Sequence, residues 1–473
     1  MNPDHSDEEL RFVPASADYD ARSAVVRKHA DNQRFKQKVM RKYFRDITCR
    51  LRAEEPRFYF YAALSQWKMF FGDFTHVQNR GWDLWDLGQS LDSPSFITMP
   101  IDNHGRAEPY VVPCELAMVR SAAAERDFVG SLFLGRYMAD DVYAVCSPAE
   151  VIASALGAGA TELYFYGYNG LDDGGNFGRW GQPEKKSLRQ GLDWFSTVRE
   201  ISGRRVSTRD VAILFPYASY TLSAHGTDTA RYNAFREDLL GWFRQFADWG
   251  LNPDILHPSQ VRAGELREYK FLAVPADPHY WAMPDAALEG ELRAFVESGG
   301  TLLHSVSELV ESTFGFASQP HEPDSIAWEE KIVTGSSTFV AYDSGEPQAA
   351  YLGDGGAAYV SRQVERGTLH SFGFDYGYAY GCREHLPVPR AYKKENQYPL
   401  SLIARTPVDK IIGESGLSLT RLRGVERIPF ANGQLLINHT PYTVDVPASS
   451  KPLSTFEGFD GIHLPGRHAV FLP

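Results

Sequence analysis

Val211-Ala-Ile-Leu-Phe215, Asp254-Ile-Leu-His257, Lys270-Phe-Leu-Ala-Val-Pro275 and Thr301-Leu-Leu-His304 are short apolar runs inside Asp210–Ser305. Between them the spacing changes to that of helices. Phe235, Leu239, Leu240, Trp242, Phe243 and Phe246 recur at helical intervals over about Arg231–Trp249. A second helix is expected over about Asp285–Glu297, closed by Gly299-Gly300. Apolar strands without alternation, separated by amphipathic helices, predict a parallel sheet covered on both faces.

Working back toward the N-terminus, Ala21 to about Ala53 reads as a long polar helix, broken at Pro56. Strands are expected at Arg57–Leu64, Ser95–Asp102, Phe128–Leu134 and Glu162–Tyr168. Helices are expected around Pro113–Ala124 and over Ala149–Leu156, the latter with Ser147 as N-cap and Pro148 at its first position. This is the rhythm of a (β/α) barrel, but eight strands need roughly 250 residues. The segment before Asp210 supplies fewer, so the expectation is a partial TIM-type barrel or a smaller open α/β layer.

After Ser305, Phe339–Tyr342, Ala357–Val360 and Gly367–Gly373 are strand-like, and Phe372–Tyr380 is expected to end a strand in a Gly-rich loop. Gln434–Asn438, Tyr442–Val446 and His468–Leu472 predict a small antiparallel β module. The expected divisions are residues 1–205, 206–410 and 411–473.

The 473 residues carry a net charge of −12 with Lys and Arg dispersed, which argues against nucleic acid as a partner. Cys49, Cys114, Cys146 and Cys382 show no metal-ligand spacing, so no metal site and reduced thiols are expected. No apolar run is long enough to span a membrane and no secretory signal is visible, so a soluble, cytoplasmic protein is expected.

The middle segment resembles the central domain of family 42 β-galactosidases, a glutamine-amidotransferase-like layer that mediates trimerisation in that family. The residues that carry the likeness are Val211–Phe215, the Trp242-Phe-x-x-Phe246 helix, Asp254-x-x-His257-Pro258, Tyr269–Pro275 and Phe295-Val-Glu-Ser-Gly-Gly-Thr-Leu302. Pro148–Ala160 with Leu163-Tyr-Phe-Tyr166 is similar to the last helix and strand of the family's barrel. Leu435-Leu-Ile-Asn-His-Thr440 is similar to its C-terminal β domain. The first half of the barrel has no counterpart. The resemblance implies a retaining glycoside hydrolase for a β-linked sugar, without a cofactor and assembled as a trimer. A non-catalytic carbohydrate-binding or assembly protein, or a truncated hydrolase, is the alternative.

In that family one glutamate follows the fourth barrel strand and another the seventh. The fourth strand would fall at or before Met1, where only Asp4, Glu8 and Glu9 are near. Glu115 stands at the end of the seventh strand if Tyr110–Glu115 is that strand, and at a helix start if Pro113 opens a helix. If Phe128–Leu134 is the seventh strand, Arg136 occupies its mouth, with Asp140 and Asp141 the nearest carboxylates. Asp102, Asn103 and His104 follow another strand and suit acid/base work or sugar hydroxyls; an Asx turn is the plain alternative. Trp67, Trp82 and Trp85 could stack on a sugar or pin their loop. Tyr168, Asn169 and Asp172 complete the candidate sugar-binding set. In the middle segment an active amidotransferase would need a cysteine, and none lies between Cys146 and Cys382.

Overall fold

The computed structural model describes residues 24–64, 81–102, 107–124, 126–133, 145–166, 182–222, 230–322, 325–329, 331–333, 338–381, 397–398, 400–417, 419–446, 454–455 and 459–472. The chain divides into two units. One comprises residues 36–208, 247–252 and 421–473, and the other residues 1–35, 209–246 and 253–420.

The long helix α1 (Ala24–Glu54) precedes the first unit's parallel layer. That layer contains β1 (Tyr61–Leu64), α2 (Leu84–Gly88), β2 (Ser93–Thr98), α3 (Val111–Ala123), β3 (Val129–Phe133), α4 (Pro148–Ala158), β4 (Glu162–Tyr166) and α5 (Gln182–Ser202). The strands pair in order β1-β2-β3-β4, all parallel, and form a partial half-barrel. Pro113 sits inside the first turn of α3, where its missing N–H costs no helical hydrogen bond. Ser147 caps α4 by accepting from the Glu150 N–H, with Pro148 just inside, as the sequence predicts.

The second unit opens with β5 (Val211–Leu214), α6 (Tyr217–Leu222) and α7 (Ala230–Asp248), whose last residues return to the first unit. Then come β6 (Asp254–Leu256), α8 (Pro258–Arg262), β7 (Phe271–Val274), α9 (Ala286–Glu297), β8 (Thr301–His304) and α10 (Glu308–Phe314). The sheet is wider than the parallel layer expected. Beyond β9 (Ser318–Pro320), it is built out by β10 (Ile326–Trp328), β11 (Lys331–Val333), β13 (Glu346–Tyr351), β14 (Ala357–Val364) and β15 (Gly367–Phe372); β12 (Val340–Tyr342) pairs with β9 instead. With β16 (Gln397–Tyr398), the order is β16-β11-β10-β13-β14-β15-β8-β7-β5-β6. The run from β15 to β6 is parallel, and the strands from β10 to β15 pair antiparallel. Leu272, Leu302, Leu369, Leu292 and Val296 centre its core.

Phe372–Tyr380 departs from the expected loop. Asp375 stands at the N-cap position of a short helix, α11 (Tyr376–Tyr380), without a side-chain capping hydrogen bond. Its Gly377 lies against the α7 backbone: a Cβ there would stand 1.9 Å from the Asp238 carbonyl oxygen, and one on Gly241 would stand 1.8 Å from that of Gly377. The glycines that read as loop formers are the contact that lets the two helices touch. The helix α12 (Pro407–Glu414) follows, and its Thr406 cap closes a capping box with Asp409.

The C-terminal stretch belongs to the first unit. There β17 (Val425–Phe430), β18 (Gly433–Asn438), β20 (Ser454–Thr455) and β22 (Ala469–Leu472) form an antiparallel sheet ordered β17-β18-β22-β20, and β19 (Val444–Asp445) pairs with β21 (His463–Leu464). One face of the sheet lies on α4, where a Cβ at Gly157 would meet Ile428, Ile437 and Leu435.

Candidate functional site

Side-chain contacts identify the two faces of the half-barrel sheet. On β2, Pro94 lies beside α2 and Thr98 reaches α3, so these alternate positions face helices. On the opposite face the Tyr61 hydroxyl and Ser131 Oγ are 2.5 Å apart, and Ser95 Oγ is 2.9 Å from Ser131 Oγ. Ile97 on that same face packs with Phe133, Met99 and Ile101. This second face is the one a closed barrel turns inward.

Glu115 is not on the inward face. It lies in the second turn of α3, 1% exposed, and Thr98 Oγ1 donates to its Oε2. The strand reading of Tyr110–Glu115 and the first-turn reading both give way, because α3 starts at Val111. Asp102 is placed differently. Strand β2 ends at Thr98, earlier than expected, and Asp102, 1% exposed, follows the isolated bridge that Ile101 makes with Ala107. It therefore lies beyond the carboxyl end of β2, the edge where (β/α) barrels hold their chemistry. Glu115 and Asp102 thus belong to different layers. Asn103, His104, Asp140, Trp67, Arg136, Tyr168, Asn169 and Asp172 lie outside the described residues. Trp85 is buried and donates its indole N–H to Ser121 Oγ at 3.0 Å, which pins it to α3.

The same unit holds a buried charge cluster that sequence reading missed. His439, fully buried, has Nδ1 2.8 Å from Glu150 Oε1 and Nε2 3.0 Å from Glu426 Oε2. Arg467 donates to Glu150 Oε1 at 3.2 Å, and the Tyr110 ring lies 4.7 Å from the imidazole. Burial alone would lower the His439 pKa. Hydrogen bonds to the two glutamates and their charges outweigh it and hold the group at about 9. Two cations thus face two carboxylates, and Glu150 gains further support at the N-terminus of α4. The arrangement ties β17 and β18 to α4.

In the second unit the turn from β8 to α10 is a strand–turn–helix, the setting an amidotransferase uses for its cysteine. Here the residue after the strand is Ser305. Its Oγ donates to Asp238 Oδ1 at 2.9 Å and accepts from Trp242 Nε1 and the Tyr376 N–H, each at 3.0 Å. Asp238 also accepts from the Ala276 and Tyr378 N–H groups. Burial and the neighbouring charge of Asp375 raise its pKa to about 7. The serine hydroxyl is committed to joining α7, β8 and α11.

Residues 209–308 match the β-galactosidase trimerisation domain. Across nearly the whole chain the fold is similar to that of a polyextremophilic β-galactosidase from the Antarctic haloarchaeon Halorubrum lacusprofundi. That likeness has 15% identity and a TM-score of 0.67, covering 98% of this chain and 70% of that one. A family 42 β-galactosidase from G. stearothermophilus matches at 15% identity and TM-score 0.64, over 95% and 68% of the two chains. A cold-adapted β-galactosidase from Rahnella sp. R3 matches at 14% and 0.62, over 95% and 68%. No curated protein matches the sequence. At these identities the likeness is one of fold.

Proposed function

From the premise that the chain is a family 42 β-galactosidase-like protein with a trimerisation domain, we propose that it is a glycoside hydrolase. It acts on a β-linked sugar at the mouth of the half-barrel and assembles through the middle domain as a homotrimer. The observation that carries this reading is Asp102, a buried carboxylate beyond the carboxyl end of a parallel barrel strand. A carboxylate there attacks the anomeric carbon or protonates the leaving oxygen, and neither role needs a cofactor. A retaining reaction sets its partner about 5–5.5 Å away. Asp140 is the partner that the sequence offers, and Asn103, His104, Arg136, Tyr168, Asn169, Asp172 and Trp67 would bind the sugar.

The second reading, a non-catalytic carbohydrate-binding or assembly protein, draws its support from Glu115. That acid is spent on Thr98 in the helix-facing layer, and the inward face near the mouth is occupied by Ile97, Met99 and Phe133.

Hydrolysis of nitrophenyl β-galactoside and a panel of other nitrophenyl glycosides, with wild type and Asp102→Asn, separates the two. The hydrolase reading expects turnover that falls at least about 100-fold in the variant. No turnover on any glycoside, with saturable galactose binding retained, establishes the second reading. Sedimentation of the protein tests the trimer.

A further inference from the structure

The four strands of the half-barrel are unequally covered. Every residue of β2 and β3 is buried, whereas Glu162–Phe165 of β4 alternate between exposed and half-buried. Among the described residues β1 pairs with β2 alone and β4 with β3 alone, so both edges of the layer are open. Parallel sheets are otherwise covered on both faces, and a barrel removes its edges by closing. Tyr61 on β1 and Tyr164 on β4 bring their rings to 5.6 Å, although a flat sheet holds strands three places apart at about 14 Å. The layer thus rolls toward its inner face. At the centre of that face Ser95 and Ser131 are small, and the rings do not fill the space they leave: Tyr164 stays 39% exposed. The helices outside follow the same order. Arg41 of α1 pairs with Asp86 of α2, and α2, α3, α4 and α5 touch in sequence, which leaves α1 and α5 outermost. Tyr43, 54% exposed, and Val39 one turn before it lie on α1, and Leu192 is exposed on α5.

A single extended peptide completes one of the two edges and leaves the other. Closing both takes strands that run parallel to β1 and to β4 and bring a concave face of their own. A second copy of the same half meets each requirement. A two-fold axis along the barrel axis reverses no strand, and it sets each β4 beside the other copy's β1. The charges agree: Glu162, exposed at the amino end of β4, and Arg57, with a 93% exposed side chain just before β1, come to the same end of each seam. Eight strands about 4.8 Å apart and tilted by about 36° make a barrel of about 8 Å radius, and helices about 10 Å farther out form a ring about 110 Å around. Five helices from each copy fit that ring at a spacing of about 8–10 Å. With each outer helix flank about 30 Å long and about 10 Å wide, the seams and inner face cover on the order of 1,000 Å² per copy. Stable interfaces need roughly 800 Å² per partner.

We propose that the half-barrel is an interface for a second copy of this chain, the two halves closing one eight-stranded barrel through β1–β4 seams. Closure places an Asp102 from each copy around a single mouth. The inference rests on the shape of the layer and not on the hydrolase reading. The half-barrel contact alone gives two chains, and combined with a trimer through the middle domain it gives six.

The test is the mass of the full-length protein by sedimentation and native mass spectrometry, for wild type, Tyr164→Arg, Tyr43→Glu and Tyr442→Glu. Wild type is expected to contain an even number of chains. Tyr164→Arg and Tyr43→Glu, at positions exposed in a single copy, should each halve that number with the circular dichroism spectrum kept. Tyr442→Glu, at a 73% exposed position of the C-terminal stretch, should leave it unchanged. In a mixture of light and ¹⁵N-labelled chains, lysine cross-links should join α1 of one copy to α5 of another, a readout that stands even where one variant fails to fold. A dimer supports this proposal while the trimer reading fails, a trimer does the reverse, and a hexamer that the variants halve supports both. A monomer, an odd number of chains, pairing only with a different polypeptide, unchanged mass in the folded variants, or no light–heavy link between α1 and α5 would each overturn the proposal.

Discussion

Alkaline pH should weaken the first unit through one residue, His439. Its pKa rises from 6.5 in the unfolded chain to about 9 in the folded one, a shift worth about 3 kcal/mol at roughly 1.4 kcal/mol per unit. Because the folded value is the higher one, this stabilisation is complete below pH 6.5. It declines as pH rises through 9 and is gone above it. The cause is geometric: only the imidazolium donates to Glu150 and Glu426 together. His439→Gln removes the cation and leaves Glu150 with Arg467 and Glu426 without the imidazolium, a loss of about 3–5 kcal/mol at pH 6. Urea unfolding of both proteins at pH 6, 8 and 10 measures the difference between them. That difference should be largest at pH 6 and shrink by about 3 kcal/mol at pH 10. If it is the same at both ends of the range, His439 is neutral in the folded protein and the ion cluster is misassigned.

Gly241→Ala should destabilise the second unit by about 2–4 kcal/mol, read as a lower urea midpoint, because the new methyl meets the Gly377 carbonyl of α11. Thr98→Val should cost about 1–3 kcal/mol by removing a donor from the buried Glu115, while any glycosidase activity stays near wild type. A fall in activity with unchanged stability would instead return Glu115 to the active-site candidates. Ser305→Ala should cost about 1–3 kcal/mol in the same assay, since it strips the hydroxyl shared by Asp238, Trp242 and Tyr376.

Where local pattern and packing agree, the chain is readable. Strand β8 falls on the expected Thr301–His304, and β5, β7 and α9 fall within a residue or so of their expected limits. Continuous apolar runs with Gly punctuation admit few other structures. Reading failed where tertiary contact decides. Strand β17 carries Pro429, which breaks a strand pattern but is tolerated at this edge of the sheet, where the Pro429 carbonyl still accepts from the Val206 N–H and no N–H is needed. Helix α5 is different, since Leu188, Gly191, Leu192, Phe195 and Val198 recur at helical spacing and its signal is local. At the half-barrel mouth, β2 begins and ends earlier than expected, which leaves Asp102 beyond the strand instead of at its end. A strand's faces alternate, so no spacing rule could tell whether Glu115 met β2 or the mouth. The His439 cluster joins residues 289 positions apart, and no local pattern announces it.

The first unit is assembled from stretches on both sides of the second, and this has a consequence during synthesis. At about 5–20 residues per second, about 15–60 s separate the emergence of Glu150 from that of His439. During that interval the apolar flank of α4 that later receives Ile428, Leu435 and Ile437 has no covering sheet, whereas the strands of the parallel middle layer have all left the ribosome. The nascent half-barrel is therefore the stage at which chaperones have most to bind.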